Sequence, residues 1–365
     1  MKRNGKIEFL RFLMSVAVLL LHTSVMNGGV RIILPHGALA VEFFFLLSGY
    51  FMASRCCKLS TTGPDRLGEE TLGYVWHKLS AILPELAAAA SLNLVLNCVA
   101  ASPTGLKTYA KMAVGAVAEL FQLRMVGLNV YANNGVTWYI SAMLIAMLLL
   151  YPICRKYYDM FVNVISALIG WLIVGMLYVN GGTQLGPNTV IAGCMYRGLP
   201  RGIAEIALGA FVFGLANRLK NVRFTRFASA CLSALEAALY AAVIALMQLG
   251  KSKYDLLALF LLTIAVTLSF GKQNSFDRLF DNKLCYTLGK LSLPIYLGHR
   301  AWLEIFNRFC GSWSYGKKLL IFLLVAMPVS VSLIIIMSKW IRKLTDRIKG
   351  VIVEKESEET VSTTT

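Results

Sequence analysis

The sequence predicts an all-α membrane protein, a polytopic bundle of about ten transmembrane helices with both termini in the cytoplasm. Of the 365 residues, 57% are hydrophobic and only 15% are charged, and the mean hydropathy is +0.64. A water-soluble domain of this length does not carry so much apolar residue. Two further observations support the prediction: a series of long apolar runs, and an uneven distribution of basic residues between them.

Ten apolar runs are long enough to cross a bilayer, since each crossing needs about 20 residues. They lie at residues 6–26, 38–54, 79–99, 136–154, 160–179, 200–217, 227–249, 254–271, 287–306 and 317–340. The first run is too long for a signal peptide and contains Arg11 and His22, so we expect it to be retained. A weaker run, 109–123, contains charged residues, and we interpret it as an interfacial or re-entrant helix.

The basic residues indicate the orientation of these runs. With the N-terminus inside, 23 of the 36 Lys and Arg residues fall in inner segments and 11 in outer segments, while Arg11 and Arg300 lie within spans. Cytoplasmic loops of membrane proteins carry such an excess. If residues 109–123 crossed the membrane, the excess would largely disappear. The distribution of the basic residues across the membrane therefore explains the net charge of +17, which does not indicate nucleic-acid binding.

The first run carries two ionisable side chains on one stripe of its helix. Arg11 and His22 are eleven residues apart, about three turns and roughly 16 Å of rise. Ionisable groups in a spanning helix are costly and usually face a protein interior or a water-filled cavity. An imidazole is a natural general base, and a guanidinium suits a phosphate or carboxylate. The structural alternative is a polar pair that only packs the bundle interior.

The second run begins with a carboxylate and continues with small residues. Glu42 lies at its outer end, at about the depth of His22 on the neighbouring antiparallel helix. A carboxylate there would orient the imidazole, as in other acid–base dyads; an interfacial position in water explains it equally well. Ser48 and Gly49 permit close helix approach. No G-x-S-x-G pattern surrounds Ser48, so we do not predict a nucleophile there.

Two later segments add aromatic and basic candidates. Trp138 and Tyr139 open the fourth predicted span, where aromatic residues are usually interfacial anchors. Arg197 and Arg201 lie in the segment that leads into the sixth span. They would hold an anionic acceptor or the Glu205 carboxylate, and an ordinary solvated loop is the alternative.

The ninth run holds a second His–Arg pair. His299 and Arg300 lie well inside it, with Tyr296 before them and Glu304 one turn later. Two membrane histidines, each with basic and acidic neighbours, are hard to explain by packing alone. The scattered cysteines show no zinc spacing, and the chain has no phosphate-binding loop. We therefore expect no metal and no permanently bound cofactor.

These motifs resemble the acyltransferase type 3 family over about residues 5–345. The matching segments are Arg11-x10-His22, 42–50, 137–141 and 296–299. The resemblance implies a ten-helix domain of the bacterial cytoplasmic membrane. It implies transfer of an acyl group, usually acetyl, from acetyl-CoA as co-substrate to a hydroxyl of an extracytoplasmic or lipid-linked saccharide. It also implies that His22 is essential and that Arg11 belongs to the donor path.

The chain departs from the family pattern in two ways. Many members carry Arg-x-x-Arg before the third span, where this chain has Lys78-Leu-Ser-Ala81. Donor contact is then expected to rely on Lys78, Arg55 and Lys58. Many members also carry a C-terminal esterase-like domain, and this chain resembles the stand-alone form. We predict a membrane domain over 1–349 and a disordered polar cytoplasmic tail over 350–365.

The predicted function is O-acyl transfer to an envelope, exopolysaccharide or lipid-linked saccharide. His22, oriented by Glu42, would take the proton of the acceptor hydroxyl, and His299 or Tyr296 would stabilise the oxyanion or shape the acceptor pocket. A reaction through an acyl-histidine intermediate is the alternative to this direct transfer. The predicted donor or substrate contacts are Arg11, Ser48, Lys78, Trp138, Tyr139, Arg197 and Tyr296. The expected partners are the lipid bilayer, acyl-CoA and the acceptor. A proton-coupled transporter or flippase of an envelope precursor is the alternative, and a non-catalytic assembly partner is a third interpretation.

Overall fold

A computed structural model describes residues 4–362 except 61, 64, 102–104, 129–130, 182–185, 192 and 272–274. It is 84% helical, which confirms the predicted all-α class. The α-helices are α1 (Gly5–His22), α2 (Ala40–Leu59), α3 (Leu67–Ala101), α4 (Leu106–Leu120), α5 (Trp138–Lys156), α6 (Tyr158–Met160), α7 (Ser166–Val179), α8 (Gly198–Lys220), α9 (Arg226–Leu249), α10 (Asp255–Gly271), α11 (Ser275–Phe280), α12 (Lys283–Phe309), α13 (Tyr315–Ile321) and α14 (Met327–Ser362).

Short irregular elements connect or interrupt these helices. The 3₁₀ segments are Thr23–Asn27, Gly37–Leu39, Leu123–Val126, Gly135–Thr137 and Ser252–Tyr254, and the π segments are Phe161–Ile165 and Phe322–Ala326. Strands β1 (Val190–Ile191) and β2 (Met195–Tyr196) form a small antiparallel hairpin. Gly193 in its turn has φ +69°, a conformation that glycine adopts without steric strain.

Nine helical stretches within the described ranges are long and apolar enough to cross a membrane. They account for every predicted run except 287–306, which lies in α12. That helix has 27 residues, about 40 Å, so its length suffices for a crossing. It carries more charge than the others because it packs inside the bundle against α1 and α3. A helix so placed needs no continuous apolar surface, so a tenth span at α12 stays a prediction.

The weak apolar run forms α4, which has 15 residues. Its length of about 22 Å is too short for the hydrocarbon core of a bilayer. It packs against α3 and buries Met112, Ala116 and Glu119. These features agree with a helix that does not span, whether interfacial or re-entrant.

The C-terminal helix α14 is described to Ser362, and residues 363–365 lie outside the described residues. The disordered tail over 350–365 stays a prediction. Beyond Gly350 the segment contains neither Gly nor Pro and is rich in Glu. Glu is a good helix former, so nothing in this segment ends the helix.

Close packing of α2 against α8 organises the centre of the bundle. A Cβ atom at Gly49 would overlap the carbonyl of Ile206, and one at Gly209 would overlap the carbonyl of Leu46. Only glycine lets the two backbones approach this closely. The sequence prediction that Ser48 and Gly49 lie at a close helix contact is therefore confirmed for Gly49.

The orientation of the bundle stays a prediction, and cysteine labelling checks it. In a cysteine-free background, Ser60→Cys lies in the loop after α2 and Thr189→Cys precedes β1; both positions are exposed. Because 23 basic residues fall in the predicted inner segments, a membrane-impermeant maleimide should label Thr189→Cys but not Ser60→Cys in intact cells. Both should react after lysis. Labelling of Ser60→Cys in intact cells would contradict the predicted orientation.

Candidate active site

Two histidines from distant parts of the chain meet between α1 and α12. Nε2 of His299 lies 3.2 Å from Nδ1 of His22, and the ring centroids are 5.0 Å apart. His299 is fully buried, whereas His22 is partly exposed. The sequence predicted both as site residues but did not predict that they touch. His22 is therefore the more exposed member of the pair.

The neighbouring backbone carbonyls indicate which ring nitrogen of each histidine carries the proton. Nδ1 of His299 lies 3.2 Å from the carbonyl oxygen of Ile295, so it is the protonated nitrogen and Nε2 carries the lone pair. Nδ1 of His22 lies 2.9 Å from the carbonyl oxygen of Val18. Its N–H is shared between that oxygen and Nε2 of His299. This assignment leaves the lone pair of His22 on Nε2, which is the form that a general base requires.

A regular contact line between α1 and α12 brings the histidines together. Ser15 and Ser292 bond at 2.6 Å, and each lies seven residues before its histidine. Ser292 also donates to the carbonyl of Arg11 at 3.0 Å. Nearer the start of both helices, Glu8 packs where a side chain at Gly289 would stand. Two parallel helices with the same seven-residue spacing keep their contacts in register, as in a coiled coil.

Two asparagines hold the segment of α12 that carries His299. Asn93 of α3 and Asn134 both donate from Nδ2 to the carbonyl of Leu297, at 3.2 and 2.8 Å. Both side chains are buried. Since Leu297 is two residues from His299, these bonds restrain the helix that positions the imidazole. Sequence reasoning missed both asparagines. Asn93 could have been noticed as an amide inside the apolar run 79–99, whereas Asn134 lies in the loop before α5.

A carboxylate supports Asn134 from α4. Oε1 of Glu119 accepts the backbone N–H of Asn134 at 2.7 Å and lies 3.9 Å from the guanidinium of Arg124. Burial raises the pKa of the Glu119 carboxyl to about 7, although the Asn134 N–H and the Arg124 charge oppose that shift. The short helix α4 thus joins the network that supports the histidine pair.

An aromatic group lies beside the histidines. The Tyr139 hydroxyl lies 3.3 Å from Oγ of Ser48, and the Tyr139 ring is 5.9 Å from that of Tyr296. The Tyr296 ring lies 6.3 Å from His299, and its hydroxyl donates to the carbonyl of Val136 at 2.8 Å. Because the polar atoms of Tyr296 and His299 already have partners, this geometry favours shaping of the site over contact with an oxyanion.

Glu42 belongs to a separate buried charge cluster. Oε1 of Glu42 lies 3.6 Å from the guanidinium of Arg201, which bonds to Glu205 at 2.8 Å. The Arg201 guanidinium also lies 5.6 Å from the Trp138 ring. The predicted pairing of Arg201 with Glu205 is thus present. Orientation of His22 by Glu42 stays a prediction, and the ring partner that the structure identifies for His22 is His299.

Three predicted donor or substrate residues lie away from the histidine pair. The Arg11 guanidinium lies 3.4 Å from Glu8, with about a third of its side chain exposed, and its charge acts on Lys78. Lys78 lies over the Tyr74 ring, 5.6 Å from its centroid. Arg197 is buried and donates to the carbonyls of Leu177 and Asn180, so its visible contacts tie the end of α7 to the start of α8.

The residues that meet at this site suit acid–base chemistry on a substrate. Among the described residues, no group of three or more His, Cys, Asp and Glu side chains is arranged to hold a metal ion. What the geometry provides is the His22 imidazole with its Nδ1 already bonded, the His299 imidazole next to it, and the Arg11 cation earlier on the same helix.

A family comparison identifies this architecture. A family model described as an acyltransferase domain matches residues 4–339. The chain belongs to the acyltransferase type 3 family. The match includes both histidines and all the other predicted site residues, and it supports a membrane acyltransferase. No curated protein and no solved structure matches the chain.

Proposed function

We propose that this acyltransferase type 3 protein moves an acyl group from acyl-CoA to a hydroxyl of an envelope, exopolysaccharide or lipid-linked saccharide. The acyl group that the family resemblance implies is acetyl. The observation that carries the proposal is the contact between His22 and His299 inside the family match. A neutral imidazole with one reachable nitrogen is suited to deprotonate a hydroxyl at neutral pH.

The proposed reaction is a direct transfer. Nε2 of His22 takes the proton of the acceptor hydroxyl while the hydroxyl oxygen attacks the thioester carbonyl carbon. The C–O bond forms, the C–S bond breaks, and the thiolate of CoA leaves and takes the proton back from His22. His299 accepts the Nδ1–H of His22 throughout, so it holds the ring and disperses the positive charge of the imidazolium.

The donor side of the proposal depends on Arg11 and Lys78. Arg11 lies roughly three turns before His22 on α1, and its charge acts on Lys78 of α3. CoA carries phosphates, which guanidinium and ammonium groups bind well. A donor whose phosphates lie near Arg11 would extend its thioester along α1 toward the histidines.

Arg11→Ala should weaken acetyl-CoA binding about 10-fold or more, since a hydrogen bond to a charged group contributes about 1.5–3 kcal/mol. Arg11→Lys should restore only part, because a point charge does not replace a two-pronged guanidinium. Isothermal titration with purified protein at two salt concentrations measures both effects. The matched control is Arg223→Ala, an exposed arginine. Unchanged affinity in Arg11→Ala would remove Arg11 from the donor path.

The experiment that tests the function as a whole compares cells with and without this protein. Mass spectrometry of their surface polysaccharide and lipid-linked saccharides should reveal acyl groups that depend on the protein, and purified protein should consume acetyl-CoA when acceptor is added. Movement of an envelope precursor without consumption of acyl-CoA would instead support the transporter alternative.

A further inference from the structure

A polar cavity lies at the ends of two helices, apart from the histidine pair. Its volume is about 430 Å³, within the roughly 300–1,000 Å³ typical of small-molecule sites. The last turns of α3 and α12 and the loop before α5 form its wall, and the described residues of this wall include neither His22 nor His299. The apolar run within α3 ends at residue 99, so the cavity lies at the level where phospholipid headgroups surround a spanning helix.

The wall of this cavity carries more positive than negative charge. Its charged side chains are Arg300, Arg308 and Glu304, which leaves one net positive charge. The Arg300–Glu304 pair is loose at 3.8 Å, with 31% and 41% of the two side chains exposed. Arg308 donates to the carbonyl of Ala100 and keeps further donors, since a guanidinium has five N–H groups. Both guanidiniums are therefore available to a phosphate, a group that arginine binds through paired hydrogen bonds.

The same wall holds acceptors that a bare anion leaves without a partner. Asn133 is 2% exposed, and its Nδ2 donates to the carbonyl of Met112 at 2.7 Å. Its Oδ1 has no hydrogen-bond partner among the described residues, and a buried acceptor without a partner costs free energy. The Glu304 carboxylate is a second acceptor. A matching occupant therefore brings hydrogen-bond donors together with its negative charge.

Hydroxyl groups suit these acceptors better than an ammonium group does. An ammonium bonded to Glu304 would lie close to Arg300, which is 3.8 Å from that carboxylate, and like charges repel. A hydroxyl donates without adding charge. A phosphodiester with a hydroxylated headgroup therefore fits best, because its single negative charge balances the wall and its hydroxyls supply the donors.

Exposed apolar side chains lie on the helices beside the cavity. Phe309 at the end of α12 is exposed, as are Leu106 and Phe121 of α4. Helix α4 packs against the rim of the cavity, since a Cβ atom at Gly115 would overlap the carbonyl of Tyr131. Exposed apolar surface of this kind marks contact with a membrane. A polar cavity beside it matches a molecule with both a charged headgroup and acyl chains.

We propose that this cavity binds the headgroup of an anionic phospholipid with free hydroxyls, of the phosphatidylglycerol type. Arg300 and Arg308 hold the phosphodiester, and the glycerol hydroxyls donate to Glu304 and to Oδ1 of Asn133. The acyl chains extend along the exposed apolar side chains of α12 and α4. The lipid is a ligand here and not a substrate, so the site does not depend on the proposed acyl transfer.

Native mass spectrometry of purified, delipidated protein in a non-ionic detergent measures binding of the first added lipid, with no acyl-CoA present. The probes are dioleoyl phosphatidylglycerol, the matched phosphatidylcholine, phosphatidylethanolamine and phosphatidic acid, and soluble glycerol 1-phosphate. Phosphatidylglycerol should bind about 10-fold more tightly than phosphatidylcholine or phosphatidylethanolamine, whose headgroups carry a cation. Glycerol 1-phosphate should bind more weakly than phosphatidylglycerol, because it has no acyl chains to bury.

Three variants separate charge, space and hydroxyl recognition. Arg300→Gln should weaken phosphatidylglycerol binding about 10-fold, the effect of losing a hydrogen bond to a charged group. The cavity-filling Ala132→Trp should also weaken it, although no charge changes. Glu304→Gln should raise the affinity for phosphatidic acid relative to phosphatidylglycerol, because it removes both a repelling charge and an acceptor for the glycerol hydroxyls. The matched control, Arg66→Gln, alters an exposed ion pair outside the cavity and should leave all affinities unchanged.

Equal phosphatidylglycerol binding in wild type, Arg300→Gln and Ala132→Trp would overturn the proposal, as would equal affinity for phosphatidylcholine. Glycerol 1-phosphate that bound as tightly as phosphatidylglycerol would replace the lipid by a soluble phosphate ligand. Thermal unfolding without lipid shows that each variant is folded. Because no donor is present, a failure here leaves the proposed acyl transfer standing, and absence of acyl transfer in cells would not alter the lipid affinities.

Discussion

His22→Ala should leave the protein folded and membrane-inserted while acyl transfer falls about 10²–10⁴-fold, the usual contribution of a general base. His22 is partly exposed and makes its ring contacts to Val18 and His299, so removing it opens space at an accessible site and leaves no charge unpaired. The measurement is acetyl transfer from labelled acetyl-CoA, with expression and thermal stability recorded in parallel.

His299→Gln and His77→Ala complete that test. A glutamine at 299 keeps a polar group behind His22 but not the imidazole geometry, so we expect a smaller loss of rate than in His22→Ala. His77 is exposed on α3, and its replacement by alanine should leave transfer unchanged. A His22→Ala protein that expresses normally and still transfers acyl groups at the wild-type rate would refute the mechanism and favour the non-catalytic interpretation.

Arg201→Leu should produce the largest loss of stability, about 3–5 kcal/mol, because breaking a buried ion pair leaves its partners uncompensated. Arg201 lies between Glu42 and Glu205, and all three side chains are buried. Without the guanidinium, two carboxylates would remain in the interior of the bundle. Thermal unfolding of purified protein, followed by intrinsic fluorescence, measures the effect.

Neutralising one of the carboxylates tests whether Arg201→Leu destabilises the protein through uncompensated charge or through lost packing. Arg201→Leu combined with Glu205→Gln should recover part of the stability, since one uncompensated carboxylate is gone, and Glu42→Gln alone should cost less than Arg201→Leu. Arg66→Leu is the matched control: its pair with Glu69 is exposed, and such pairs contribute about 0–1 kcal/mol. If Arg66→Leu and Arg201→Leu destabilised the protein equally, the buried cluster would have no special role.

Local sequence features were enough to predict the spans and the candidate residues. Apolar runs of about 20 residues predict membrane-spanning helices whichever helices they pack against. The spacing of Arg11 and His22 is likewise a property of a single helix. The run at 287–306 coincides with α12, whose crossing stays a prediction. Helix α4 was kept out of the spans on its length and composition, which are both local properties.

The tertiary structure decided which of these residues meet. His22 and His299 are 277 residues apart, and Glu42 reaches Arg201 of α8, not a neighbour on α1. Such contacts depend on which helix faces pack together, and that choice is made by the whole bundle at once. The matching seven-residue spacings, Ser15 to His22 and Ser292 to His299, were the one signal in the sequence for the histidine pair. Without knowing that α1 and α12 are neighbours, the spacing has no meaning, because two helices share a register only after they touch.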